Sequence, residues 1–412
     1  MLLNMLLNKN RALDDIFVRW NWMRAVLHNG WWLVTSLYLA VNGQLTASQL
    51  VYIGVFQGAT SFIFEVPAGV IADTFSRKWS LVISQILMGL SMIITGLVTD
   101  FPLLVMAQML WGISWTFASG ADIAYITDEL NQSEKIDGVL TRTARAQLWG
   151  AAFGIISVGL LAWSTTLSTA MIISGLLMML LGAHIAFAFH EKRFIRIRHQ
   201  RWLASWNIFR DGVSLVRKST VILVVFAATF LVDGASEISR LFPKKLVELG
   251  FPAEIEPIAW LTALSLITLI IGIPVLKIVE ARVQNINTAR LDFVFAGIAG
   301  ILGLVVLALT PNTVVGSAGI LLFSGIATPL TRTLASIQVN RATTDSVRAT
   351  VHSFLAQAEY LGEILCGFSI GLIAKATGLK GALIASALLM GAASITMSLK
   401  HPDRASRKIS KL

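Results

Sequence analysis

Apolar residues run along this chain in long blocks rather than in alternation. Stretches with few charges lie near 20–41, 48–72, 80–99, 102–126, 144–164, 167–190, 219–240, 256–279, 290–310, 313–334, 348–374 and 381–399. A helix needs ~20 apolar residues to cross ~30 Å of hydrocarbon. Only helices and closed barrels satisfy their backbone hydrogen bonds in lipid. Runs such as Val221–Leu231 and Leu261–Ile273 lack the every-second-residue polarity of a barrel strand. The pattern therefore predicts an all-α membrane protein with twelve transmembrane helices, spans 1 to 12 in chain order.

The polar positions orient these spans. Lys9, Arg11 and Arg19 precede span 1. Arg77 and Lys78 follow span 2, Lys135 and Arg142 follow span 4, Arg282 follows span 8, Arg341 follows span 10, and Lys400, Arg404, Arg407, Lys408 and Lys411 follow span 12. The loops after spans 1, 3, 5 and 9 carry no Lys or Arg; Lys244, Lys245, Lys375 and Lys380 are exceptions after spans 7 and 11. Basic residues gather on the cytoplasmic side of membranes, so both termini are expected there, with a bacterial inner membrane as the setting. Residues 191–218 are the longest polar segment, with eight basic and two acidic side chains and Trp202, Trp206 and Phe209 interleaved. That composition suits an amphipathic linker lying on anionic lipid.

The linker divides the chain into bundles at 1–190 and 219–400, with a basic tail at 401–412. The halves echo each other: Pro67 with Pro274, Gly154 with Gly362 and Gly159 with Gly367, at offsets of 207 or 208 residues. Glycine and proline at matched places mark a duplicated transporter. Two pseudo-symmetric six-helix bundles are expected.

Composition sharpens the class. Hydrophobic residues make up 55% and charged residues 14% of 412, and mean hydropathy is +0.73. So little charge could not cover a soluble enzyme of this size. The net charge of +10 lies mainly in alternate loops, which points away from nucleic acid. One cysteine, Cys366, allows neither an intrachain disulfide nor a Cys-based metal site. Met1 to Asp15 lacks the basic start and cleavage site of a secretory signal. No Walker-type phosphate loop or His-Glu-x-x-His motif occurs, and Gly367-Phe-Ser-Ile-Gly371 lies inside a helical span, where no nucleophile elbow forms. The expected protein is no enzyme, holds no cofactor or metal, and works as a monomer on a small molecule.

Charges inside a bilayer are costly and are functional candidates by default. Span 7 carries Asp233, Glu237 and Arg240 on one face, and span 11 carries Glu359 and Glu363 one turn apart. The four acids are candidates for proton coupling. Glu65 in span 2 suits a gating or structural part. Span 1 carries Asn21, Arg24, His28 and Thr35 in a stripe beside Trp31 and Trp32; span 4 carries Trp111, Trp115 and Asp122. The aromatic rings could stack on planar or cationic ligands, whereas Arg24, Arg240 and Arg332 would suit an anion. Together these residues are expected to line the substrate cavity.

The sharpest motif follows span 2: Gly69-Val-Ile-Ala-Asp73-Thr-Phe-Ser-Arg77-Lys78. Gly69 would let two helices approach closely. Asp73 could cap a helix N-terminus, and Arg77 and Lys78 could pair with acids of a neighbouring loop. The motif resembles the signature loop of the major facilitator superfamily, with Thr74 and Ser76 where that loop usually has a basic residue and a glycine. Ser119-Gly-Ala-Asp122 with Asp128, and Arg348-Ala-Thr-Val-His-Ser353, are further matches. The resemblance implies a cytoplasmic gate in which Asp73 caps the start of span 11 near Arg348 and Arg77 pairs with Asp128. It also implies a cavity lined by spans 1, 4, 7 and 10, and secondary transport by alternating access. The Glu65–Lys78 region resembles drug exporters. It makes proton-coupled efflux of an amphipathic small molecule the first expectation and proton-linked uptake of a nutrient or organic anion the alternative. A non-transporting membrane sensor is a lesser one.

Overall fold

The computed structural model describes residues 13–130, 133–194, 210, 213–282, 286–343 and 347–399. Most of the basic linker, with Trp202, Trp206 and Phe209, the tail from Lys400, and Lys9 and Arg11 lie outside the described residues. Among those described, all regular structure is helical. Spans 1, 2 and 3 are Leu13–Val41, Ala47–Thr74 and Arg77–Leu97; spans 5 and 6 are Ser133–Ser164 and Leu167–Ala188; spans 8 and 9 are Pro257–Arg282 and Ile286–Leu309. Ten helices among the described residues are long and apolar enough to cross a membrane. The last of them, Arg348–Ser398, breaks at Gly378 (φ 74°) and so holds spans 11 and 12. Span 1, with its charged stripe, supplies the twelfth crossing.

Several helices outrun the apolar blocks that predict them, two of them at their starts. Span 5 begins at Ser133 rather than near 144, and span 1 at Leu13 rather than near 20. Hydropathy reports immersion in lipid, whereas the helical hydrogen-bond ladder continues into water. The extensions hold each other: Arg142 pairs with Asp14 at 2.9 Å and with Asp15.

The backbone is irregular in spans 4, 7 and 10. Span 4 breaks between Phe101–Ala118 and Ala121–Leu130, at Gly120 with φ 71°. Span 7 runs as Thr220–Ser236, tightens to a 3-10 turn over Glu237–Leu241 and resumes as Phe242–Leu249. Span 10 runs as Thr313–Ile320, widens to a π turn over Leu321–Ala327 and ends as Thr328–Ala342. Pro329 lacks the N–H of a regular ladder, and Thr328 Oγ1 donates to the Phe323 carbonyl at 3.1 Å. Such interruptions frequently mark functional sites. Asp122, Glu237 with Arg240, and Arg332 each lie in or just beyond one.

The chain packs as two units, residues 1–43 with 63–197, and residues 44–62 with 198–412. The first half of span 2 thus packs with the second unit. Phe17, Trp20, Tyr125 and Phe189 centre the first, with ring centroids 4.7–5.6 Å apart from Phe17 through Trp20 and Phe189 to Tyr125. Phe242 packs edge-on against Phe323 in the second. Large apolar side chains such as Phe187 and Leu388 stay exposed, as suits a surface dissolved in lipid.

The units repeat one close helix crossing. In the first, a side chain on Gly154 of span 5 would strike the backbone of Val26 in span 1, and one on Gly30 would strike Val158. In the second, a side chain on Gly362 of span 11 would strike the backbone of Phe230 in span 7, and one on Gly234 would strike Cys366. Val26 and Gly30 precede Phe230 and Gly234 by 204 residues, and Gly154 and Val158 precede Gly362 and Cys366 by 208. The same backbone-to-backbone approach recurs at equivalent positions, which is the mark of a duplicated unit.

Candidate functional site

The loop after span 2 folds around one arginine. Ser76 takes an extended conformation and its hydroxyl accepts from the Trp79 N–H, capping span 3. Ser76 also donates to Glu191, whose other oxygen accepts from the N–H groups of Arg77 (2.8 Å) and Lys78 (3.3 Å). A carboxylate at a helix N-terminus meets unpaired donors and the positive end of the dipole. The Arg77 guanidinium pairs with Asp128, reaches Asp73 at 3.3 Å, and donates to the Ala124 carbonyl at 3.1 Å. Phe194 lies 6.0 Å from it. Glu129 accepts from the N–H groups of Lys192 and Arg193 at 2.9 and 2.7 Å. Residues 191–194 are therefore tied to the loop after span 2 and to the end of span 4, a role the sequence did not reveal for Glu191 or Glu129. Arg348 opens span 11, half-buried.

Two expectations need correction. A side chain added at Gly69 would meet nothing within 4 Å among the described residues, so this glycine serves no close helix approach here. Lys78 makes no ion pair among them; its ammonium lies over the Trp79 ring at 5.6 Å, where it can keep its head in water. Glu191→Ala is expected to lower unfolding stability by about 0.5–2 kcal/mol, the usual loss on removing a helix cap, with Glu191→Gln retaining part of it. Thermal unfolding of the purified variants checks this.

The first unit also gathers an aromatic ledge from spans 1 and 4. His28 stacks on Trp111 and Trp32, with centroids at 5.5 and 6.4 Å, and tilts against Trp115 at 5.7 Å. Trp111 stacks on Trp115 at 5.5 Å, and Trp31 lies 6.1 Å from Trp32. The one-turn spacing of Trp111 and Trp115, and of His28 and Trp32, puts these rings on common helix faces. Arg24 covers Trp115 at 5.2 Å and Trp20 at 5.7 Å. It stands 3.8 Å from Asp122, beyond hydrogen-bond range. Asp122 spends its other oxygen on the Ile123 N–H. Asn21 is fully buried and accepts from Gln147 at 2.9 Å; Glu65 accepts from Ser119 at 2.8 Å.

The second unit holds the acids. Asp233 is 1% exposed, and one of its oxygens accepts from Arg332 Nε at 2.7 Å and from Nη2. Arg332 also reaches the Ser236 hydroxyl at 3.3 Å. Glu237 accepts from Arg240 Nε at 2.9 Å, and Arg240 donates to Gln57 of span 2 at 3.2 Å. Span 2 yields space for this group. A side chain at Gly54 would strike Glu237 and Arg240, one at Gly58 would stand 3.5 Å from a Glu363 oxygen, and one at Gly367 would stand 3.4 Å from Glu237 Cγ. Glu359 and Glu363 stand within electrostatic reach of Arg332 and Asp233. The structure thus brings together Asp233, Glu237, Arg240, Arg332, Glu359 and Glu363. Sequence reading missed Gln57, Gly54 and Gly58, whose part is visible only once spans 2, 7 and 11 are packed. Four acids face two arginines, so two carboxylates have no matching cation in the group. Glu359 and Glu363 are half-buried, and charges withdrawn from water without a matching partner tend to neutralise or bind one.

Comparison with known proteins agrees with this architecture. The family model described as Major Facilitator Superfamily matches residues 23–367. An uncharacterised MFS-type transporter of Bacillus subtilis (strain 168), YxaM, is 22% identical over 349 residues, covering 83% of this chain and 84% of its own. The nucleoside transporter NupG superposes with a TM-score of 0.74 at 15% identity, over 95% of this chain and 100% of that one. A D-xylose-proton symporter does so with a TM-score of 0.70 at 14% identity, over 94% and 97%. With the family matched over most of its length and helices apolar enough to cross a membrane many times, the chain belongs to the Major Facilitator Superfamily and is a multi-pass membrane transporter rather than an enzyme.

Proposed function

We propose that the protein is a proton-linked symporter for a small organic solute, working by alternating access. The carrying observation is the excess of two acids over arginines among Asp233, Glu237, Glu359, Glu363, Arg240 and Arg332. These carboxylates are the proton-carrying groups, and Arg240 and Arg332 hold the acids in place when they are ionised. The ledge of Arg24, His28, Trp31, Trp32, Trp111, Trp115 and Asp122 receives the solute. Because the acids sit in one unit and the ledge in the other, protons and solute occupy different groups and can load together, as symport requires. Loading shifts the protein between facing states only through different affinity for the two. Gly69, Asp73, Arg77, Lys78, Asp128 and Arg348 form the cytoplasmic gate. The protein works as a monomer in a bacterial inner membrane, its termini cytoplasmic and its 191–218 linker on anionic lipid.

A second reading is proton-coupled efflux of an amphipathic cation. The acid excess supports it, since a cation could displace the protons, and so does the resemblance of the Glu65–Lys78 region to drug exporters. The test is transport in proteoliposomes with an imposed pH gradient, using labelled sugars, nucleosides, organic acids and cationic drugs. Symport predicts solute accumulation toward the alkaline side, lost in Asp233→Asn and Glu359→Gln. Proton release from the lumen on adding a cationic drug would favour the second reading, and unchanged pH-driven flux in both variants would remove these acids from the coupling.

A further inference from the structure

We infer that the ledge of spans 1 and 4 binds a planar aromatic carboxylate, its ring stacked among Trp32, Trp111 and Trp115 and its carboxylate on the Arg24 guanidinium. The inference rests on the reading of the protein as a solute symporter and names the chemistry of the solute.

The rings argue for a flat ligand. Trp32, Trp111, His28 and Trp115 neighbour one another at 5.5–6.4 Å with interplanar angles of 13–42°. Trp32 and Trp115 remain 37% and 36% exposed, so each offers ring surface to a partner. Aromatic pairs favour this offset geometry. The same helices carry Arg24, His28 and Asp122, so this is no surface built for lipid. His28 Nδ1 and Trp111 Nε1 are buried without a hydrogen-bond partner among the described residues. Unspent polar groups of this kind gain when a ligand bearing heteroatoms arrives.

The charge argues for an acid. Arg24 occupies the face of Trp115 at 5.2 Å, so a cation stacking there would meet a like charge. Its side chain is 11% exposed, and its nearest acid, Asp122, stands 3.8 Å away. Arg24 makes no hydrogen bond among the described residues, and its planar fork matches a carboxylate with two parallel donors. An incoming carboxylate at hydrogen-bond distance would therefore outcompete Asp122 for the guanidinium.

Calorimetric titration of the purified full-length protein with indole-3-acetate, indole-3-acetamide and tryptamine tests this. These probes share a ring and differ in charge. The acid is expected to bind about tenfold or more tighter than the amide, the usual return on a charge-assisted pair, and tryptamine weakest. Arg24→Gln should abolish the preference for the acid, and Trp115→Leu should weaken acid and amide alike. Asp122→Asn frees Arg24 and should tighten the acid alone, a gain no misfolded variant gives. Equal binding of the three probes, binding of none, an acid preference surviving in Arg24→Gln, or no tightening in Asp122→Asn would overturn the site. If indole-3-acetate binds as expected but no pH gradient drives its uptake, proton-linked symport fails and the site stands. If a pH gradient drives uptake of another solute and none of the three probes binds, the site fails and symport stands.

Discussion

Gly362→Val is expected to leave little folded protein in the membrane, whereas Gly69→Ala should accumulate and melt like the wild type. A Cβ on Gly362 would lie 2.9 Å from the carbonyl carbon of Phe230 and 3.1 Å from its Cα. Those are backbone atoms of another helix and cannot step aside as a flexible side chain would. Overpacking by single methyl groups costs roughly 1–3 kcal/mol, and valine adds a branched side chain at a crossing that joins spans 7 and 11. Gly69 is the counter-case, since open space surrounds the position a methyl would take. Detergent-solubilised yield on size exclusion and thermal unfolding decide it. Wild-type accumulation of Gly362→Val would mean that the two helices do not approach this closely and that the two units share no such crossing.

Arg332→Ala is expected to cost more stability than removing Arg332 and Asp233 together. The single change strands a carboxylate that is 1% exposed. Because the Arg332 side chain is itself 46% exposed, solvent screens the pair, and the loss should fall below the about 3–5 kcal/mol typical of breaking a fully buried one. Arg332→Ala with Asp233→Ala removes both charges and should recover much of that loss. The thermal unfolding of the two single variants and the double variant gives the coupling directly. Additive losses would mean that the two side chains do not depend on each other. If Asp233 carries the coupling proton, pH-driven flux should be lost in the two variants that lack it, because recovered stability does not restore a proton-binding group.

The spans were legible because immersion in lipid demands long apolar blocks. The extra turns of span 5 were not, because Ser133 to Thr143 is polar and helical at once. Charged positions in the spans were also legible, but their partners were not. The sequence grouped Asp233 with Glu237 and Arg240 on one face, since spacing within a helix is all it displays. In the fold, Asp233 is held by Arg332, 99 residues away, and Arg240 turns to Glu237 and to Gln57. Glu191 escaped notice because its partners are main-chain N–H groups, which look alike in any sequence. Ser76, read as a departure from the family's loop, supplies the hydroxyl that caps span 3. Gly54 and Gly58 leave room for charges on other helices, a service invisible until those helices are in place.

The chain's one thiol belongs to Cys366, buried in the crossing of spans 7 and 11, where a Gly234 side chain would begin 2.7 Å from the sulfur. A maleimide has no room there while the helices stay together. Its rate of alkylation therefore times their separation in the unaltered protein, with no engineered label and no second cysteine to confuse the signal.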